Sequence, residues 1–490
     1  MIVRNEAHNL AACLEPVAGL FDEVVIVDTG SCDDTPDIAR RFTSNVSSFP
    51  WCDDFSAARN ATLERSSGDW VFWLDADDRF RPEQAVALGR LLGQLTDRPA
   101  AYLMDTVCWS RYECEGARLI THPRLFRRHP DLKWSGRVHE QLRPDPVALG
   151  YELLRSDVQI DHVGYCNDAL RQRKLQRDAR LLRMDYAVDP EDPSTLLHLG
   201  LTYARLGQVA DARKYLRRLE ESNPARGEWM RRVYSTLADL ALREGHFDDA
   251  LATLARGLAA FPGDENLLLL RAEVLYEIDR FAEARETLLE LMAAADSQQF
   301  RGGAPDDVKN KVAPRKLADI YRIEKSYDQA IATLERVLRV YPTDTLAWYG
   351  LGRVFTDAHR RADVEAVAQR LLACPQGEIF SALLRATWHL DHNELAAASQ
   401  YIDGLIAQVP QMPLPRIMRV EVLSRLGAPL EARIQACRDV LRVQPGNTDA
   451  ARSLAALEAA QEAARVARQP DQWSTSVVLG AAVPGGVSRV

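Results

Sequence analysis

The sequence predicts an α/β domain followed by an all-α helical solenoid, and three observations carry that expectation. A short apolar run from Trp70 to Leu74 ends in the acidic residues Asp75, Asp77 and Asp78. Strand and helix signals alternate through the first third of the chain. From about Asp168 the strand signals vanish, and helix pairs punctuated by Gly, Asn, Asp and Pro take over.

Only Met1, Ile2 and Val3 precede Arg4, so the first strand is either an abbreviated sheet edge or the remnant of one that starts upstream. Arg4, Asn5 and Glu6 follow it, where Glu6 either starts a helix or lines a nucleotide cleft. A helix is expected from about His8 to Leu20 and a strong strand from Glu23 to Val27. Asp28 then stands at a carboxyl strand end, and Gly30 with Ser31 turns the chain into a helix near Asp33 to Phe42. There Asp28 can accept a hydrogen bond from a base N–H or a ribose hydroxyl, or it can cap the next helix.

Trp70 to Leu74 is too short for a helix and follows a Gly-Asp turn, which makes it a strand. The carboxyl edge of an open α/β sheet is where ligands sit, so Asp75 and Asp77 suit Mg²⁺ or Mn²⁺ carrying phosphate oxygens. A solvated acidic turn would have the same spelling. Further strands are expected from Pro99 to Trp109 and around Leu119, Ile120, Arg124, Leu125 and Phe126. Trp134, Gly136, Arg137, His139 and Glu140 then crowd one segment, where His139 and Glu140 are both credible bases for an acceptor. An alternating strand around Val138 aims only one of these neighbours into a cleft, and Glu140 is favoured, leaving His139 to hold phosphate or orient the carboxylate. His162 follows another short apolar strand and either joins a mixed nitrogen and oxygen metal shell or is a packed histidine.

Taken together, VRNE from Val3, VDTGS from Val27, DFSAARN from Asp54 and GDWVFWLDADD from Gly68 resemble the inverting nucleotide-sugar glycosyltransferases of family 2, whose nucleotide-binding domain is of the GT-A type. The nearest resemblance is to bacterial members followed by helical repeats, a group that includes peptide S-glycosyltransferases. The resemblance implies that Asp28 contacts the base, Arg59 the nucleotide, Asp75 the ribose and metal, and Asp77 the metal as its main ligand. It implies His162 as a C-terminal metal ligand, with Gly164 and Tyr165 in a closing loop and Tyr165 against the donor, and it implies a UDP-linked sugar. The fixed fork of Arg59 suits phosphate or base edges, whereas Asn60 is expected to make a helix-packing or backbone contact.

Charge and composition narrow the partners. The 490 residues carry 61 Lys and Arg against 70 Asp and Glu, a net charge of -9, with no extended basic block, which disfavours nucleic acid. The locally basic stretch from Leu170 reads as a solvated helix face joining two domains, or as a contact for phosphate or an acidic peptide. The eight cysteines lack metal-ligand spacing and the pattern of a secreted disulfide scaffold. No signal peptide or bilayer-length apolar run is read, so cytoplasmic solubility is the default expectation, with peripheral contact at the inner face of a membrane left open.

In the second half Leu196, Leu199, Gly200, Tyr203, Ala212, Leu216 and Pro224 fall on tetratricopeptide-repeat spacing. Leu237, Ala238, Gly245, Ala250, Leu254 and Pro262 repeat it, as do Leu317, Ala318, Tyr321, Ala330, Leu334 and Pro342. The expected domains are a transferase over 1–167, repeats over 168–468 with an insertion near 293–311, and a flexible tail over 469–490. The expected function is metal-dependent transfer of a sugar, with inversion, to a protein, peptide or glycan acceptor. The repeats are expected to contact a protein partner or a second copy. A repeat-based scaffold without catalysis and a nucleotidyltransferase are the competing readings.

Overall fold

The computed structural model describes residues 1–108, 118–163, 168–222, 227, 229–294 and 308–467. Expectations that fall on Trp109, Gly164, Tyr165, Pro224, most of the 293–311 insertion and the tail lie outside the described residues. The chain divides into two compact units, Met1–Leu317 and Ala318–Val490.

The first unit opens with β1 (Ile2–Val3), α1 (Leu10–Leu14), β2 (Ile26–Asp28), α2 (Thr35–Arg40), β3 (Val46–Ser48) and α3 (Phe55–Arg65). The three strands form a parallel sheet in the order β1-β2-β3. Several of these elements are shorter than the sequence suggests. The helix expected from His8 to Leu20 stops at Leu14 and resumes as a 3-10 turn over Ala18–Leu20. Pro16 accounts for the break, because it has no N–H to donate and its ring clashes with the preceding turn. The second strand begins only at Ile26 and includes Asp28 as its last paired residue.

A second sheet comes next, built from β4 (Trp70–Phe72), β5 (Asp78–Arg79), β6 (Ala100–Cys108) and β7 (Arg118–Arg127), with α4 (Pro82–Leu92) between β5 and β6. A small antiparallel pair, β8 (Lys133–Ser135) and β9 (Gln141–Arg143), precedes β10 (Glu152–His162), which completes the sheet in the order β4-β7-β6-β10-β5. Two registers in this sheet bring acidic and basic side chains to one end. Phe72 pairs with Leu125, and the ladder is extended by the Trp73 N–H donating to the Arg124 carbonyl at 3.1 Å. His162 pairs with Asp78 across β10 and β5. The core of this sheet is apolar and tightly buried, with Ala100, Met104, Leu125 and Ile160 at its centre.

Helix pairs begin at α5 (Asp168–Val188) and continue in the same unit through α6 (Pro193–Arg205), α7 (Val209–Ser222), α8 (Met230–Arg243), α9 (Phe247–Ala260), α10 (Glu265–Glu277) and α11 (Phe281–Ala293). Asp192 and Asp264 cap α6 and α10 by accepting from the N–H groups of Thr195 and Leu267. Then come α12 (Ala313–Ile323), α13 (Tyr327–Val340), α14 (Thr345–Asp357), α15 (Arg361–Leu371), α16 (Gly377–Asp391), α17 (Leu395–Gln408), α18 (Pro413–Arg425), α19 (Leu430–Val443) and α20 (Thr448–Ala467). In the second unit the repeat positions Ala330, Leu334, Leu351 and Phe355 are buried in one core with Leu371 and Leu384. Among the described residues no helix is long and apolar enough to cross a membrane.

Small residues set how closely paired helices approach. A Cβ on Gly200 of α6 would overlap the branched end of Leu216 on α7, and Leu216 is itself fully buried. Gly200→Ala gains helix propensity worth about 1 kcal/mol, but overpacking costs about 1–3 kcal/mol. We expect a net loss of stability in denaturant unfolding of the full chain. A more stable variant would show that Leu216 can move aside.

Candidate metal and donor site

The site grows from the carboxyl end of β4. After Phe72 the chain leaves the ladder, and Trp73 places its ring between two guanidinium groups, with Arg124 3.9 Å and Arg59 4.4 Å from its centroid. Arg124 and Asp78 are buried to 2% and 0% exposure. Such a pair persists only when each charge is matched, and here the match is complete on the acid. One Asp78 oxygen accepts from Arg124 at 2.9 Å and from the Asp75 backbone N–H at 2.9 Å, while the other meets Nδ1 of His162 at 3.0 Å.

Asp78 therefore builds the turn that aims Asp75 and Asp77. The carboxylates of Asp75, Asp77 and Asp78 and the His162 imidazole bring one ligand atom each within 4.8 Å of one another. Asp77 lies 3.5 Å from Nδ1 of His162 and 3.8 Å from Nζ of Lys174 on α5. Burial disfavours the charged form of Asp77, Asp75 and Asp78 add to this, and its carboxyl is raised despite His162 and Lys174. For His162 burial works the other way, but the hydrogen bond to Asp78 and the three nearby carboxylates outweigh it and raise the imidazole. Three carboxylates and an imidazole fit a hard or borderline divalent ion such as Mg²⁺ or Mn²⁺. Asp75, Asp77 and His162 would hold it, because both oxygens of Asp78 are already engaged.

Arg59 links this cluster to the second part of the site. It sits on the buried face of α3, and its guanidinium donates to Asp75 at 2.8 Å and to Glu140, stacked against Trp73 and Trp134. Burial opposes ionisation of Asp75, yet Arg59, with Arg124 and His162 behind it, holds its carboxyl below the usual range. The Arg59 fork, expected to reach a nucleotide, also bonds to two side chains of the site. Asn60 beside it exchanges hydrogen bonds with the backbone of Trp134 at 2.8 and 2.9 Å and so fixes β8 on α3.

The segment around Val138 is not an alternating strand. β8 ends at Ser135 and β9 starts at Gln141, and the bend between them passes through Gly136 and His139, both at positive φ. The left-handed backbone at His139, φ 55°, separates the two neighbours. Glu140 meets Arg59, whereas the His139 ring stacks on His198 of α6 with centroids 4.2 Å apart. Burial lowers the pKa of both imidazoles, so each is held towards its neutral form.

Asp28 and Glu6 are engaged in loops at the carboxyl ends of β1 and β2. Asp28 accepts from the N–H groups of Gly30 and Ser31 and from the Ser31 hydroxyl. The Glu6 carbonyl accepts from Asn9 and Leu10 at the start of α1, and its side chain accepts from Asn9. Sequence reading missed Asp78 as the organiser, together with Arg124 and Lys174. The signal for the first two was an arginine within an apolar strand, which burial obliges to have an acidic partner.

Removing Arg124 tests that pairing. Arg124→Met leaves Asp78 charged and buried, and should cost about 3–5 kcal/mol in urea unfolding. Asp78→Asn in that background should recover part of the loss, and no recovery would show that the pair is not the source.

Known proteins share both halves of this architecture. Residues 1–144 match the family model for glycosyl transferase family 2, and residues 194–225, 241–302 and 315–354 match tetratricopeptide repeat models. A TPR repeat-containing protein of Synechococcus elongatus is 34% identical over 259 residues, covering 51% of this chain and 63% of that protein. The prophage-derived glycosyltransferase SunS of Bacillus subtilis is 27% identical over 222 residues, covering 44% of this chain and 51% of its own length. The chain thus spans less than two thirds of the length of either relative. By these matches the chain carries a glycosyltransferase family 2 domain of the GT-A type followed by a tetratricopeptide-repeat region.

Proposed function

We propose that the chain transfers a sugar, with inversion, from a nucleoside diphosphate sugar, UDP-linked, to a protein, peptide or glycan acceptor. The transferase is assigned to residues 1–167 and the acceptor- or partner-binding repeats to 168–468. The observation that carries the reading is the convergence of Asp75, Asp77 and His162 within 4.8 Å at the end of β4, tied through Arg59 to Glu140.

A bound Mg²⁺ or Mn²⁺ would offset the charge that develops on the departing diphosphate. The chain's own residues do the rest. Asp75 and Asp77 would hold the cation, with His162 as a nitrogen ligand, and Lys174 adds a positive charge beside Asp77. Asp28 and Glu6, at the ends of β2 and β1, are assigned to the base and ribose side of the cleft. Glu140 is assigned as the base that takes the proton from the acceptor nucleophile, since only one of its oxygens is used by Arg59. His139 is turned to α6 and is assigned no proton transfer. The arrangement is compatible with the cytoplasm, where nucleotide sugars are made, and with an acceptor at the inner face of a membrane.

Binding, its pH dependence, turnover and the released product test the reading. Calorimetry with nucleoside diphosphates and nucleotide sugars should show binding that depends on Mn²⁺ and is lost in Asp77→Ala while the helical repeats stay folded. Because the His162 imidazole is raised above its ordinary value by Asp78 and the neighbouring carboxylates, the ion must displace a proton from it, so affinity should rise with pH and weaken towards tenfold per unit as the solution is acidified. A flat profile between pH 8 and 6 would remove His162 from the ligand set. Glu140→Ala should lower turnover by about 10²-fold or more with little change in donor affinity. Full turnover would redirect the base to another group. Release of nucleoside diphosphate supports sugar transfer, pyrophosphate release from a triphosphate supports nucleotidyl transfer, and no binding to a folded chain favours a repeat scaffold.

A further inference from the structure

The bend between β8 and β9 is gripped by the helical repeats, residue after residue. The Arg137 N–H donates to one Asp185 oxygen at 3.0 Å, and its Nε lies 3.3 Å from the other, so α5 holds both backbone and side chain. The Arg137 carbonyl in turn accepts from the Phe55 N–H at 2.9 Å at the start of α3. Val138 is buried to 8% exposure in the core of the repeats, in one cluster with Leu181, Leu182 and Leu196. His139 lies flat on His198 of α6, its ring plane within 19° of parallel. The fourth residue, Glu140, then meets Arg59.

Neighbouring contacts reinforce the same seam. Arg180 of α5 donates to both oxygens of Asp53 at 2.6 and 2.8 Å, and Arg177 lies over the Phe55 ring at 4.9 Å. The loop before α3, the bend and α5 thus close on one another. A bend that contains two positive-φ residues has little local preference for its own shape, so tertiary contacts must supply it.

We propose that the first repeat helices are part of the catalytic apparatus: α5 and α6 set the position of Glu140 by holding residues 137–139, with Asp185 and His198 as positioning residues. The proposal rests on the assignment of Glu140 as the base. It makes the repeats more than an arm for partners, because two of their helices fix the group that activates the acceptor.

The test uses the full chain and two kinds of readout. Asp185→Ala and His198→Ala should raise hydrogen exchange of the amides of residues 136–140 by tenfold or more. Mn²⁺ affinity should stay within twofold, because the metal ligands stand in the turn between β4 and β5 and at the end of β10, not on the bend. With UDP-glucose or UDP-N-acetylglucosamine, whichever is turned over, nucleoside diphosphate release at saturating donor should fall about tenfold with KM unchanged, and His198→Phe, which keeps the stacked ring, should restore it. Unchanged exchange in both alanine variants overturns the proposal. So does a parallel loss of Mn²⁺ affinity, which would mean general loosening. Fast exchange with full release rates overturns it too, if Glu140→Gln is inactive. If Glu140→Gln keeps its activity, the assignment of the base falls instead, and exchange alone decides whether α5 and α6 hold the bend.

Discussion

The buried ion pair between Arg124 and Asp78 is the constraint on which the rest of the site depends. Neither group reaches water, so each must find its counter-charge inside the protein. Asp78 meets this by accepting from Arg124, from the Asp75 backbone and from His162, and those three bonds fix the turn after β4, the edge strand β5 and the end of β10 relative to one another. Trp73 supplies the apolar wall that lets two guanidinium groups stand near each other. Several acidic groups can then crowd one place because Arg59, Arg124 and Lys174 are interleaved with them.

That interleaving divides labour between the two arginines. Arg124 is structural and organises the turn after β4, while Arg59 spans from Asp75 to Glu140 and ties the two carboxylates to one another. The same logic reaches into the helices. Val138 and His139 belong by their contacts to the repeat core, although they lie in sequence between two strands of the α/β domain. The first unit is accordingly one compact body that includes both the sheet and the first repeats.

Much of this was legible in the chain. The run from Trp70 gives a strand because it is short, apolar and preceded by a turn, though the strand stops at Phe72 rather than Leu74, and Asp75 and Asp77 follow its end. The repeat positions were legible because Gly200, Ala212 and Leu216 obey one spacing wherever helices pack closely. Element lengths were less so: Pro16 cuts a helix that hydrophobic pattern alone extends to Leu20. The choice of Glu140 over His139 came from a period of two that the backbone does not have, and the separation is made by a left-handed residue stacked on a helix distant in sequence. No local signal encodes that contact. Asp78 was hidden for a related reason, since clustered acidic residues do not reveal which one faces inward until the buried Arg124 is in place.

The central claim is that Asp75, Asp77 and His162 form one divalent-cation site that carries a nucleoside diphosphate. Crystals grown with Mn²⁺ and UDP, measured at the manganese absorption edge, test it directly. The account predicts an anomalous peak about 2.0–2.6 Å from Asp77 and His162, with the diphosphate bridging to it and Asp78 still paired to Arg124. A diphosphate bound without such a peak, or a peak remote from these residues, would contradict it.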